Sequence, residues 1–132
     1  MPLYPVTIEQ GKQDWPIQID QEATFFMAFQ YTDSDDLPVP LTNYTAEMQI
    51  RRTVDAEDPP LLTLTVANGG LELDEATGLV MVRITSVQSA ALPELPESSP
   101  GVYDLLLTAP GANGAVEKLV SGTVQVRKTV TR

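Results

Sequence analysis

Residues 44–51 read Tyr-Thr-Ala-Glu-Met-Gln-Ile-Arg, and their strict alternation is the tightest constraint in the chain. Ala46, Met48 and Ile50 fall on one face, and Glu47, Gln49 and Arg51 on the other. That is a strand with one side in a core and one side in water. The approach to it is equally telling. Asp33, Ser34, Asp35 and Asp36 are turn formers, because their short side chains bond to nearby backbone and compete with a ladder. Pro38 and Pro40 fix φ and remove two donors, so residues 37–41 form an extended connection and not a helix.

The same period recurs along the chain between turn residues. Phe25, Met27, Phe29 and Tyr31 share a face, with Ala28, Gln30 and Thr32 opposite. Leu62, Leu64 and Val66 alternate with threonines. Leu71 and Leu73 define a short strand after the Asn68-Gly69-Gly70 turn. Val80, Val82 and Ile84 point inward from residues 79–85, as do Tyr103, Leu105 and Leu107 from the strand after the proline-rich loop 94–101. Val116, Val120, Val124 and Val126 are expected on one face of a long final segment, in which Gly122 marks a bulge or a close backbone approach. Residues 86–92 are the best helical candidate, with Ser86 as cap and Pro93 as stop. The 11 prolines and 8 glycines act as punctuation between these short apolar runs.

Residues 1–20 stand apart as a lead segment, in which Val6 and Ile8, then Trp15, Ile17 and Ile19, alternate with polar neighbours around Gly11. The division expected is therefore an N-terminal arm or edge-strand segment over 1–20 and a β-sandwich domain over 21–132. The fold expected is all-β: an antiparallel immunoglobulin-like sandwich of about seven or eight strands with one short helix.

These pieces, in this order, resemble a pattern found in small bacteriophage virion proteins of the tail or baseplate β-sandwich type. The matching residues are Ile19, Gln21, Phe25, Asp33, Asp35, Pro38, Val39, Leu41, Thr42 and the run from Tyr44 to Arg51, save Glu47. The resemblance continues through residues 68–70 (NGG), 79–85 (LVMVRIT), 89–93 (SAALP), 101–108 (GVYDLLLT) and 122–132 (GTVQVRKTVTR). Two family glycines are replaced, by Glu22 and by Asn43. The first turn is expected to be reshaped in consequence, whereas Asn43 can still visit positive φ. The resemblance implies a particle component located in the virion, and its shared residues look like fold determinants and not like a catalytic signature.

Composition narrows the chemistry. The 132 residues suffice for one domain with a real core, and 42% of them are hydrophobic. Eighteen acidic residues against eight basic ones give a formal charge of −10, which disfavours nucleic acid and anionic membranes as partners. The chain has no cysteine and no histidine, which removes disulfides, thiolate nucleophiles, Cys/His zinc sites and imidazole bases. No basic cluster followed by an apolar run marks a signal peptide near Met1, and no run reaches the roughly 20 apolar residues of a membrane span.

The remaining motifs favour structure over catalysis. The acidic run 33–36 lacks the glycine and the closing glutamate of an EF-hand loop, so no metal site is assigned. Glu94 with Glu97, and Asp55 with Glu57 and Asp58, are acidic pairs of the kind that arise by chance among eighteen carboxylates. Ser86, Ser89, Ser98 and Ser99 lack a base, and Lys12, Lys118 and Lys128 stand in no S-x-x-K spacing. No catalytic residue and no cofactor is expected.

Contact residues are the better prospect. Phe26 breaks the alternation of its strand and points a large apolar side chain to the polar face. Tyr4 and Trp15 place aromatic rings in the lead segment. Tyr4, Trp15 and Phe26 are the candidate protein-contact residues. The expected function is a non-enzymatic virion structural protein, a tail, baseplate or fibre-attachment component whose partners are other virion proteins and copies of itself. A capsid decoration protein is the alternative within that class. A carbohydrate-binding adhesion module at a fibre tip, with Trp15, Tyr4 and Tyr31 as its platform, is the alternative outside it.

Overall fold

Burial follows the period-two pattern strand by strand in the computed structural model. It describes residues 6–9 (backbone), 14–32, 35, 37–55, 59–111 and 114–128. Nine strands and one helix occur among them: β1 Val6–Glu9, β2 Ile17–Asp20, β3 Phe25–Thr32, β4 Thr45–Arg51, β5 Leu62–Thr65, β6 Leu71–Asp74, β7 Leu79–Ile84, α1 Ser86–Ala91, β8 Gly101–Thr108 and β9 Val116–Arg127. They form two sheets, of order β1-β3-β7-β6 and β2-β9-β8-β4-β5.

The two sheets share one apolar core. Phe29, Tyr31, Leu71, Val80, Val82 and Ile84 enter it from the four-stranded sheet. Met48, Ile50, Leu64, Leu105, Val120 and Val124 enter from the five-stranded one. Every one of these twelve residues lies on the inward face that alternation assigns it. Ile17 and Ile19 of β2 are buried in the same core, so the second half of the lead segment is tied into the fold.

The expectation of an antiparallel fold needs correction at the edges. β1 pairs with β3 in parallel, Val6 opposite Phe29, and β2 pairs with β9 in parallel, Ile17 opposite Val124. Parallel neighbours require a crossover and not a hairpin. The lead segment supplies one by running along the four-stranded sheet as β1 and along the five-stranded sheet as β2. Every other pairing between these strands is antiparallel.

A second correction concerns Val116, expected inward with Val120, Val124 and Val126. A register shift between Leu105 and Leu106 places a bulge in the β8–β9 ladder. Leu119 and Val120 are both buried beside it, and Val116 is turned to the exposed face. One extra residue inverts the facing of everything beyond it.

Local chemistry accounts for the turns. Thr85, not Ser86, caps α1: its Oγ1 accepts the Gln88 N–H at 3.1 Å, and Gln88 Oε1 accepts the Thr85 N–H at 2.9 Å. This reciprocal box satisfies donors that the first helical turn leaves open. Leu92 is already extended, and Pro93 follows it. The buried Ser89 hydroxyl donates to Ala23 C=O at 2.8 Å, fixing α1 to the β2–β3 turn. In that turn Glu22 has φ 69°, and Asn43 has φ 63° before β4. Glu22 thus holds a left-handed conformation in the first turn although it is not glycine.

Candidate functional site

The crossing between sheets places the first contact candidate. Trp15 immediately precedes β2, and its N–H donates to Ser121 C=O of β9 at 2.8 Å. Its own C=O accepts the Tyr103 hydroxyl of β8 at 2.5 Å. Gly122 lies beneath: a Cβ there would sit 2.6 Å from the Trp15 carbonyl oxygen, which is the close approach the sequence anticipates. Backbone held in this way leaves the indole projecting, with 41% of Trp15 exposed. Burial, and secondarily the Asp14 carboxylate, push the Tyr103 phenol above its ordinary value, so it stays a donor at neutral pH.

Phe26 stands elsewhere. It lies on the outer face of the four-stranded sheet opposite Arg83, with Ala28 opposite Met81 and Gln30 opposite Leu79 on the same face. Forty per cent of Phe26 is exposed. Trp15 and Phe26 are held by different sheets and do not share a sheet face. Tyr4, the third candidate, lies outside the described residues, as do Asp33, Ser34 and Asp36 of the acidic turn. Among the described residues no three acidic side chains are placed to share a metal ion.

Two surface depressions were not visible in the sequence. The first, about 350 Å³, lies on the five-stranded sheet and is lined by Gln49, Arg51, Val102, Asp104 and Lys118 among others. Its polar groups are tied to neighbours: Lys118 Nζ stands 3.9 Å from Asp104, Arg51 Nε donates to Gln49 at 3.1 Å, and Gln49 donates to Glu47 at 2.7 Å. Such exposed pairs make a polar face without a strong field. The second, about 380 Å³, lies beside β6 and is lined by apolar residues together with Glu72 and Glu75. Its residues come from two stretches far apart in the chain, 41–44 and 66–75, so no spacing in the sequence announces it.

No protein-family model and no curated protein matches the sequence. Among solved structures the chain is similar to the N-terminal domain of phage TP901-1 ORF48, with a TM-score of 0.60 at 9% identity. The likeness covers 97% of this chain and 100% of that one. At such identity what is shared is the fold alone.

Proposed function

We propose that this chain is a non-enzymatic structural protein of a bacteriophage particle, a tail, baseplate or fibre-attachment component that works through protein–protein contacts. The observation that supports it is the fold shared over nearly the whole chain with a domain of a phage protein. The resemblance of residues 19–51 and of the later segments to virion β-sandwich proteins points the same way. Fold alone assigns no function, and the chemistry carries the rest. A chain without histidine or cysteine has no ready base or thiolate, while exposed aromatic groups on rigid strands suit assembly.

We read the architecture as immunoglobulin-like. The order β3-β7-β6 in one sheet and β9-β8-β4 in the other corresponds to the B-E-D and G-F-C arrangement, and β5 occupies the place of an added C′ strand. In this reading the sandwich is a rigid spacer. Trp15 and Phe26, with Tyr4 in the lead segment, are its anchors to neighbouring virion proteins and to copies of itself. Residues 1–20 serve as the arm or edge-strand segment, with Ile17 and Ile19 holding the crossing in place.

Gold-labelled antibody against the chain, imaged on purified particles of the encoding phage, tests the proposal. Label on the tail or its tip is the expected result. Label over the head would transfer the protein to capsid decoration, and particles without label would sink the virion reading.

A further inference from the structure

β5 and β6 follow one another in the chain, and each closes one end of its sheet. Their outer edges differ in what they leave unpaired. On β5 the Asn68 side chain takes the place of a neighbouring strand: Nδ2 donates to Thr63 C=O at 3.0 Å, and Oδ1 accepts Thr65 N–H at 2.9 Å. An edge filled in this way offers little to an incoming strand.

β6 has no such cover. Arg83 N–H donates to Gly70 C=O at 2.9 Å, which sets the parity of the β6–β7 ladder. Bonded pairs alternate in an antiparallel ladder, so Glu72 and Asp74 bond toward β7 while the N–H and C=O of Leu71 and Leu73 point away from it. Among the described residues no hydrogen bond reaches those outward groups. The next outward carbonyl is taken, because Leu41 N–H donates to Glu75 C=O at 3.1 Å. The open stretch therefore runs along Leu71, Glu72 and Leu73, and admits a short extended segment.

The side chains along this stretch fall into two sets. Leu71 is buried and Leu73 half-buried on the core face, next to the depression of about 380 Å³ whose lining includes Leu41, Tyr44 and Val66. Val66 is 42% exposed, which leaves apolar surface there for a partner to cover. Alternation puts Glu72 and Asp74 on the opposite face, where Glu72 is exposed. One edge thus offers apolar surface on one face and carboxylates on the other.

We propose that the β6 edge binds an extended segment of another protein in which apolar and basic residues alternate. Laid antiparallel, the residues opposite Leu71 and Leu73 exchange backbone bonds with them and bring apolar side chains to the core face. A lysine or arginine between them stands opposite Glu72 on the other face, with Asp74 diagonal to it. Exposed pairs of this kind add selectivity and encounter rate more than affinity, so the backbone and apolar contacts hold the segment.

A second copy of this chain fits poorly. Two β6 edges laid antiparallel, Leu71 of one opposite Leu73 of the other, set Glu72 against Glu72, and each chain carries a charge of −10. The bases on the described strands are no better placed. Arg51, Arg83, Lys118 and Arg127 lie on β4, β7 and β9, each of which is already paired on both sides. That the partner is another virion protein rests on the assembly reading; the edge itself does not.

Titration of the isotope-labelled full chain with a capped peptide of alternating valine and lysine, followed by amide NMR at low salt, tests the edge. In the free chain the Leu71 and Leu73 amides should exchange with water faster than the Glu72 amide, which bonds to β7. Peptide at saturation should slow the two leucine amides about tenfold or more. A peptide with glutamate for lysine should bind about tenfold or more weakly, and added salt should narrow that difference. Methylation of the valine nitrogens removes the donors that face Leu71 and Leu73 and should abolish binding. Glu72→Lys should reverse the preference between the two charged peptides while leaving the urea midpoint in place. Leucine amides already protected in the free chain, absence of binding, or equal binding of the two charged peptides overturns the proposal. Tail-labelled particles together with such a result would leave the particle reading standing and remove this one.

Discussion

Replacing Gly122 by alanine tests how the chain crosses between its sheets. The added Cβ would stand 2.6 Å from the Trp15 carbonyl oxygen, 2.7 Å from the Trp15 carbonyl carbon and 3.1 Å from Pro16 N. All three are backbone atoms, so no rotamer change relieves the overlap, and segment 14–16 must lift. Lifting breaks the Trp15–Ser121 bond of 2.8 Å and the Tyr103–Trp15 bond of 2.5 Å. Each is worth about 1 kcal/mol net, and a buried hydroxyl left without a partner adds about 1–3 kcal/mol. Alanine returns roughly 0.4–1 kcal/mol through the unfolded chain. The expected loss is about 2–4 kcal/mol, a large part of the roughly 5–15 kcal/mol that holds a domain together.

Trp15 is the sole tryptophan, so its fluorescence reports the lifted segment directly while far-ultraviolet dichroism reports global unfolding. Gly122→Ala should lower the urea midpoint and make the indole more accessible to acrylamide under native conditions. Tyr103→Phe removes only the hydroxyl; it should cost about 1 kcal/mol and leave the indole in place, because the Trp15 N–H bond survives. The double variant should lose less than the sum of the two, since both act on one hydrogen bond. A Gly122→Ala chain within about 0.5 kcal/mol of wild type, with unchanged quenching, would refute the close crossing.

Other consequences are measured by the same unfolding experiments. Glu22, at φ 69°, should give a chain about 0.5–1 kcal/mol more stable as Glu22→Gly, whereas Glu22→Ala should bring no gain; a destabilised glycine variant would contradict the left-handed turn. Asn68→Ala removes acceptors from Thr65 and Gly70 and a donor from Thr63, so it should cost about 1–3 kcal/mol and increase self-association by baring the β5 edge. The raised phenol of Tyr103 predicts a pH effect of definite sign. The unfolded chain releases that proton near pH 10 while the folded chain keeps it, so stability is whole below pH 10 and falls as pH rises beyond it. Urea midpoints from about pH 8 to about pH 11 should fall less steeply for Tyr103→Phe, and equal slopes would refute the assignment.

The inner faces of the sheets were legible because burial imposes a period of two. Met48 and Ile50, Val80 and Val82, and Leu105 and Leu107 all point where alternation puts them. Pro93 and the turn at residues 68–70 were legible because their chemistry is local. Val116 was not, because one unpaired residue in the ladder inverts the facing beyond it. The parallel edges were not either: short strands around Gly11 carry no mark of which neighbour they will join. Phe26 was found as a break in its strand's pattern. The pinning of Trp15 was only half visible, since Gly122 implied a close approach and nothing in the sequence said to what.

The two edges at the β5–β6 seam show where such reading stops. Leu62-Thr-Leu-Thr and Leu71-Glu-Leu-Asp are short alternating strands of one kind, and nothing in either says which will be closed. The difference lies in Asn68, which reads in sequence as a turn residue and in space also replaces a neighbouring strand. Parity matters as much, because it is the Gly70–Arg83 bond that turns Leu71 and Leu73 outward. A chain of charge −10 gains general protection from self-pairing through repulsion.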